Sequence, residues 1–319
     1  MAHPHPIPLA GNTVYALRLA EGGALLIDAG PDVEGTWDEA VTLLDAYGCA
    51  PSDVRAVLVT HAHIDHAGLA MRWAAAGARI FAGALDVSAL AGGRAWLDAR
   101  LPLRLDTLRR HGTPPEVWEA QAEQASRRAY RWQPCPTVEA VADGTTFALE
   151  DGATLRVIAA PGHTPGNLVA HIEASGDLYS GDTLIDGVIP TPGLHFPDGP
   201  DGQPGPRWPS LPPFRRSVAR LRTLQARRVL PGHGAPSDDP ARMFEHFEAH
   251  HARRAERVRA LLAEQPDTAY GLAKRMFPRI GALQLAQAMT EAIGHLDALL
   301  GTGEAVREDA GGLARFRLA

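Results

Sequence analysis

Cysteine is nearly absent: 319 residues hold only Cys49 and Cys135, far apart and in no metal-ligand spacing. That excludes a disulfide framework and a thiolate-bound metal, and leaves two free thiols in a reducing compartment as the expectation. Lysine is scarcer still. Lys274 is the only one, so nearly all positive charge is arginine, and the net charge of −6 argues against a broad nucleic-acid-binding surface. No run of 18 apolar residues occurs, so no membrane-spanning helix is expected. The first residues, MAHPHPIPLAG, lack the basic stretch and apolar core of a signal peptide, and the expected location is cytoplasmic. The glycine fingerprints of flavin and nicotinamide enzymes are missing as well, which turns attention away from redox chemistry. What is present is an ordinary globular composition, 45% hydrophobic and 21% charged, long enough for one large domain or a large one with a small partner.

Short apolar runs alternate with helical patterns along the first 240 residues. Residues 13–19 and 24–28 read as strands joined at Glu21-Gly22-Gly23. Residues 37–47 read as a helix with Thr36 as its cap. A buried strand over 55–59 runs into a helix over 66–76. Strands over 145–149, 154–159, 168–172 and 178–180 follow, then a helix over 214–226 and a strand over 228–230. Strand pairs with helices outside them, twice over, predict two sheets packed face to face with helices on both outer sides. Residues 85 to about 141 read as a mostly helical insertion lying over the site, and 190–213, rich in Pro and Gly, as an irregular loop that shapes access. The predicted boundary falls at 240. Residues 241–319 hold three helices (243–264, 269–277, 283–300) and a hairpin around Asp309-Ala310-Gly311-Gly312, a winged-helix-like domain.

The chemistry concentrates in VTHAHIDHAG, where His61, His63, Asp65 and His66 fall within six positions. Imidazole and carboxylate are ligands that zinc, iron and manganese share. Four ligands from one loop cannot close two coordination shells, so others must come from elsewhere. His163 in APGHTPG, Asp182 in YSGDT and His233 in LPGHG each end a predicted strand beside glycines that let the backbone turn. Seven ligands suit a dinuclear site: His61, His63 and His163 on one metal, Asp65, His66 and His233 on the other, and Asp182 between them. The expected cofactors are two divalent ions, zinc foremost, with iron or manganese as alternatives. Among the remaining histidines, His195 in the Pro/Gly-rich loop is the candidate for substrate contact. His246, His250 and His251 share a helix and are read mainly as packing residues, with His250 or His251 able to approach the site. His171 and His295 are read as structural, and His3 and His5 as part of a mobile tail.

HAHIDH with PGHTPG, SGD and PGHG resembles the metallo-β-lactamase superfamily, and so does LLIDAG, whose Asp28 matches an acidic residue that supports the metal site from behind. The resemblance covers roughly residues 7–240 and implies an α/β fold, a four-layer αββα sandwich with the metals at one edge of the two sheets. PGHG, the helix carrying HFEAHHARRAERV and the winged-helix-like end resemble the beta-lactamase-like protein 2 group. That group includes a single-strand-preferring endoribonuclease and thioesterases acting on polyketide chains.

Two metals bridged by a hydroxide make a nucleophile available at neutral pH and polarise a carbonyl or phosphoryl oxygen, so hydrolysis is the expected reaction. Asp65 is the candidate catalytic residue, orienting the water or accepting its proton. His66 stands where class B β-lactamases differ, which argues against penicillins as substrates. The gap of about 50 residues between Asp182 and His233 has no room for the extra domain of long RNA-processing members. The leading expectation is therefore an ester, thioester or lactone of a small molecule. A metal-dependent endoribonuclease acting on single-stranded RNA is the alternative. A non-catalytic DNA-binding winged-helix protein is the third, disfavoured because 283–300 contains no Lys or Arg. A packing or homodimer role for the C-terminal module is expected instead, and no membrane partner.

Overall fold

The first strands form because their apolar residues come in unbroken runs, as strands buried on both faces must. In the computed structural model, which describes residues 4–119 and 131–319, they build a six-stranded sheet. Its order is β1 (His5–Leu9), β2 (Asn12–Arg18), β3 (Ala24–Ile27), β4 (Val54–Leu58), β5 (Arg79–Gly83) and β6 (Glu139–Val141). The pairs from β1 to β3 are antiparallel and those from β3 to β6 parallel. A second sheet runs in order through β7 (Thr146–Ala148), β8 (Thr154–Ala159), β9 (Leu168–Ile172), β10 (Asp177–Gly181) and β11 (Arg228–Pro231).

Side chains alternate across a strand, and here both faces are filled. Tyr15, Leu17, Leu25, Ile27 and Leu58 share one apolar cluster with Leu155, Val157, Leu168, Ala170 and Tyr179 of the second sheet. Their neighbours Val14, Ala16, Leu26 and Val57 point the other way, toward Leu44 of α1 (Thr36–Ala46), Trp73 of α3 (Ala70–Ala75) and Leu90 of α4 (Val87–Arg110). Trp73 is buried and donates its indole N–H to the Ala29 carbonyl at 3.0 Å. Burying that ring contributes roughly 2–3 kcal/mol. The mixed α/β fold with two sheets flanked by helices is as expected. Cys49 and Cys135 are buried free thiols. Among the described residues no helix is long and apolar enough to cross a membrane.

Several local expectations are corrected. Thr36 is the first helical residue of α1 rather than its cap: Gly35 holds the cap position at φ +85°, and the Thr36 hydroxyl donates to the Pro31 carbonyl at 2.7 Å. The helix read over 66–76 is two, α2 (Ile64–Ala67) and α3. The Asp65 carbonyl accepts from Asn12 at 3.1 Å and the Leu69 N–H goes to Gly30 at 2.9 Å, so the helical ladder is diverted between them. Residues 139–141 form edge strand β6 rather than the end of a helical insertion. His5 opens β1 and stacks on Tyr47 with ring centroids 4.5 Å apart, so it is no loose tail. His3 and the 120–130 part of the insertion lie outside the described residues.

The chain divides into two compact units. The first comprises Met1–Asp98, Ala129–Pro190 and Arg216–Phe244, and holds both sheets. The second comprises Ala99–Arg128, Thr191–Arg215 and Glu245–Ala319. The ends of the insertion therefore belong to the first unit and its middle to the second. Among the described residues three helices cross a unit boundary, α4, α5 (Leu211–Arg222) and α6 (Pro240–Glu264). In the second unit α7 (Ala269–Met276), α8 (Ala282–Gly301) and the antiparallel ribbon of β12 (Ala305–Ala310) and β13 (Leu313–Leu318) close around Val258, Leu272, Met289, Ile293 and Phe316. Thr268 caps α7 by accepting the Gly271 N–H at 3.1 Å. Arg207 holds Asp297 with two bonds, at 2.7 and 2.5 Å, and ties the Pro/Gly-rich loop to α8.

Candidate metal centre

Five strands end on the same edge, and each end delivers a polar side chain. β3 leads to Asp28, β4 to His61, His63, Asp65 and His66, β8 to His163, β10 to Asp182 and β11 to His233. The seven predicted ligands come together as two groups, His61, His63, His163 and Asp182, and Asp65, His66 and His233. Within each group one donor atom per residue lies within 4.8 Å of every other. The Asp182 carboxylate touches both. Its Oδ2 is 3.5 Å from His163 Nε2, and its Oδ1 is 3.3 Å from His66 Nε2 and 3.6 Å from His233 Nε2. Asp65 Oδ2 stands 3.1 Å from His233 Nε2 and 3.8 Å from His66 Nε2.

The hydrogen bonds behind the ligands decide which ring nitrogens carry protons. Asp28 is buried, with Oδ1 accepting the Thr60 N–H at 2.7 Å and Oδ2 accepting the Thr60 hydroxyl at 3.1 Å and His66 Nδ1–H at 2.7 Å. A carboxylate only accepts, so His66 carries a proton on Nδ1 and turns Nε2 inward. Thr60, having given its proton to Asp28, accepts from His61 Nδ1 at 3.1 Å, which leaves the His61 Nε2 lone pair inward as well. His233 Nδ1 donates to the Gly11 carbonyl at 2.8 Å, which turns its Nε2 inward toward Asp65. One carboxylate and one hydroxyl thus set two ligand tautomers.

The inward ring nitrogens face one another. His66 Nε2 lies 3.3 Å from His233 Nε2, and His63 Nδ1 lies 2.9 Å from His61 Nε2 and 3.0 Å from His163 Nε2. A single proton on His63 satisfies only one of its two neighbours. Asp182 Oδ1 is buried without an aligned hydrogen-bond donor. Nitrogen and carboxylate oxygen atoms converging at this spacing are the donor set of a divalent cation, so these residues fit two such ions.

The charges point the same way. Burial, and then the neighbouring His66 and His63, hold His61 well below the ordinary histidine value, so it stays a neutral ligand. Burial opposes charge on His66 too, but Asp28 and Asp182 outweigh it and raise its proton affinity. A cation at Nε2 must displace that proton. Burial pushes the Asp65 and Asp182 carboxyls up, yet the hydrogen bond from His233 to Asp65 and the charge of His66 beside Asp182 dominate, and both end below the usual carboxylate range. His233 is raised, chiefly by its bond to Asp65.

Four contributors escaped the sequence reading. Thr60 is the relay between Asp28 and His61. Gly11 and Asn12, at the turn between β1 and β2, hold His233 and the Asp65 backbone. Asp86, at the end of β5 and 3% exposed, accepts the Ala62 N–H, the Thr164 hydroxyl and the Gly166 N–H. Asp86 was legible only as an acid after a strand, in GALD. The glycine of PGHG has a steric reason: a Cβ at Gly232 would lie 2.5 Å from His66 Cε1.

The other histidines have the following partners within their own units. His195 belongs to the second unit, in a bridge with Trp208. His250 meets Glu291 at 3.0 Å, and His251 Nδ1 faces His295 Nε2 at 3.5 Å, all within the second unit. His171 is buried in β9.

Comparison with known proteins adds the following. The family described as Metallo-beta-lactamase superfamily matches residues 7–233, and Metallo-beta-lactamase-like, C-terminal domain, matches 255–319. The probable metallo-hydrolase YqjP of Bacillus subtilis is 29% identical over 306 residues, 93% of this chain and 90% of that protein. An atrochrysone carboxyl ACP thioesterase of Aspergillus fumigatus is 25% identical over 233 residues, 73% of this chain and 54% of that one. The crystal structure of a metallo-beta-lactamase family protein from Thermus thermophilus superposes with a TM-score of 0.78 at 29% identity, covering 100% of this chain and 98% of its own.

Proposed function

Because the chain belongs to the metallo-β-lactamase superfamily, we propose that it is a dinuclear metal hydrolase cleaving an ester, thioester or lactone bond of a small molecule. The observation that carries this reading is Asp182, one carboxylate with an oxygen toward each donor group. When bound, two divalent ions, zinc foremost, lower the pKa of water toward roughly 7 and polarise the acyl carbonyl.

The chain's own residues do the rest. Asp28 and Thr60 keep His66 and His61 in the ligating tautomer. Asp65, held by His233, takes the proton from the attacking water at its carboxylate. Support for an acyl substrate comes from two exposed apolar side chains that lie near Asp86 and Asp182 in the sequence. Leu85 and Val188, the exposed large hydrophobic residues among those described, sit beside Asp86 and a few residues beyond Asp182. Apolar groups in that position suit the chain of an acyl substrate better than a phosphate backbone. The thioesterase relative points the same way. RNA has weaker support, since α8 carries no Lys or Arg. The C-terminal module is assigned a packing or dimerisation role, and the two free thiols suit the cytoplasm.

The test is metal-loaded protein assayed in parallel on esters, thioesters, lactones and single-stranded RNA, with Asp65→Ala as control. Acyl hydrolysis lost in the variant supports the reading. RNA cleavage without any acyl hydrolysis overturns it.

A further inference from the structure

We infer that Asp86 is a positioning residue for one metal position alone, the one formed by His61, His63 and His163. Its buried carboxylate is bonded to two loops at once. Toward the first loop it accepts the N–H of Ala62, the residue between His61 and His63, at 2.9 Å. Toward the second it accepts the Thr164 hydroxyl at 2.7 Å and the Gly166 N–H at 2.9 Å, both just past His163. Three ligands of one group thus hang from two loops that a single carboxylate joins.

The approach is close. A Cβ at Gly166 would come within 2.7 Å of the Asp86 Cγ, which explains the last glycine of PGHTPG. β5 supports the same junction, because a Cβ at Gly83 would collide with the Gly166 carbonyl. The other group has anchors of its own: His66 on Asp28, which also reaches His61 through Thr60, His233 on Gly11, and the Asp65 carbonyl on Asn12. None of these bonds involves Asp86. Asp182 belongs to both groups and is linked to neither anchor by a bond of this kind.

Asn at position 86 keeps one acceptor oxygen and turns an NH2 toward the remaining donors, so at least one loop loses its hold. Residues that orient metal ligands through hydrogen bonds are worth roughly 10–100-fold in metal affinity when removed. The two positions therefore respond differently to the same substitution. Asp86 acts on metal binding whatever the substrate, so the test uses no turnover.

Metal-depleted protein is titrated with Zn2+ against a chromophoric chelator in two backgrounds. In His233→Ala, which cripples the second position, Asp86→Asn should weaken the remaining Zn2+ site by roughly 10–100-fold. In His163→Ala, which cripples the first, it should change affinity by less than about threefold, because none of the three Asp86 bonds reaches the second group directly. Thr164→Val removes one of the three bonds and should reproduce the pattern at smaller size. It decides the matter if Asp86→Asn does not fold. Equal weakening in both backgrounds, or none in either, overturns the assignment.

Discussion

Replacing Asp28 by Asn tests the tautomer relay most directly. The backbone of residue 28 sits at φ +68°, a conformation that Asn shares with Asp, so the substitution introduces no new strain there. Asn retains one acceptor oxygen, which the Thr60 N–H at 2.7 Å can keep. Its NH2 then faces His66 Nδ1, now 2.7 Å from a carboxylate oxygen, and two donors cannot bond. His66 escapes by giving up its Nδ1 proton and keeping one on Nε2, the atom that would hold the metal. The loss is one charge-assisted hydrogen bond, about 1.5–3 kcal/mol. At about 1.4 kcal/mol per factor of ten, that is roughly 10–150-fold in metal affinity. The assay is Zn2+ competition with a chelator, paired with long-range proton–nitrogen NMR of the imidazoles, which reads the tautomer. Expected are weakened binding and a His66 signal with the proton on Nε2. Affinity within threefold of the parent, with Nδ1 still protonated, would refute the relay.

Three further outcomes follow from the same geometry. Gly232→Ala should weaken Zn2+ binding at the Asp65, His66 and His233 position, because the new methyl stands 2.5 Å from His66 Cε1; unchanged competition titrations would count against that steric account. Replacing Leu85 and Val188 by Ser should flatten the rise of kcat/KM with acyl chain length while leaving kcat on the shortest substrate within about threefold; a profile that keeps its slope means these side chains do not touch the chain. The second unit should lose stability in mild acid. Burial, with Arg207 nearby, lowers His111 to about 3, burial beside His295 lowers His251 to about 2, and burial lowers His295 to about 4 despite Glu291. All three stay neutral in the folded chain while the unfolded chain protonates below about 6.5. Their contribution is therefore present above that pH and is lost as pH falls from about 6.5 toward 4, by up to about 1.4 kcal/mol per unit for each histidine. Urea unfolding between pH 7.5 and 5 measures it, and a flat profile would mean these rings protonate in the folded state.

The candidate metal ligands were readable because few residue types bind such ions and each here follows a strand beside glycine or another candidate. His163, Asp182 and His233 needed no partner to be visible. Asp28 was readable through its surroundings, LLIDAG, rather than through its bonds. Asp86 shows where such reading stops. Its three donors lie 24, 78 and 80 residues away, and nothing local separates it from any acid after a strand. Long-range bonds also explain the misread helix over 66–76, whose ladder is interrupted by Asn12 and Gly30. Strands β8 and β9 were placed to the residue because both faces are apolar or alternate cleanly. β1 was missed because Pro6 and Pro8 disguise it. Prolines of this kind are tolerated on an edge strand, which needs ladder bonds on one side only, and β1 pairs with β2 alone. The chemistry of the centre is thus carried by side chains that announce themselves locally, while its rigidity comes from Thr60, Gly11, Asn12 and Asp86, ordinary residues until the fold brings their partners to them. Leu85 and Val188 belong to the second kind, since they stand out only as the exposed large hydrophobic side chains among the described residues.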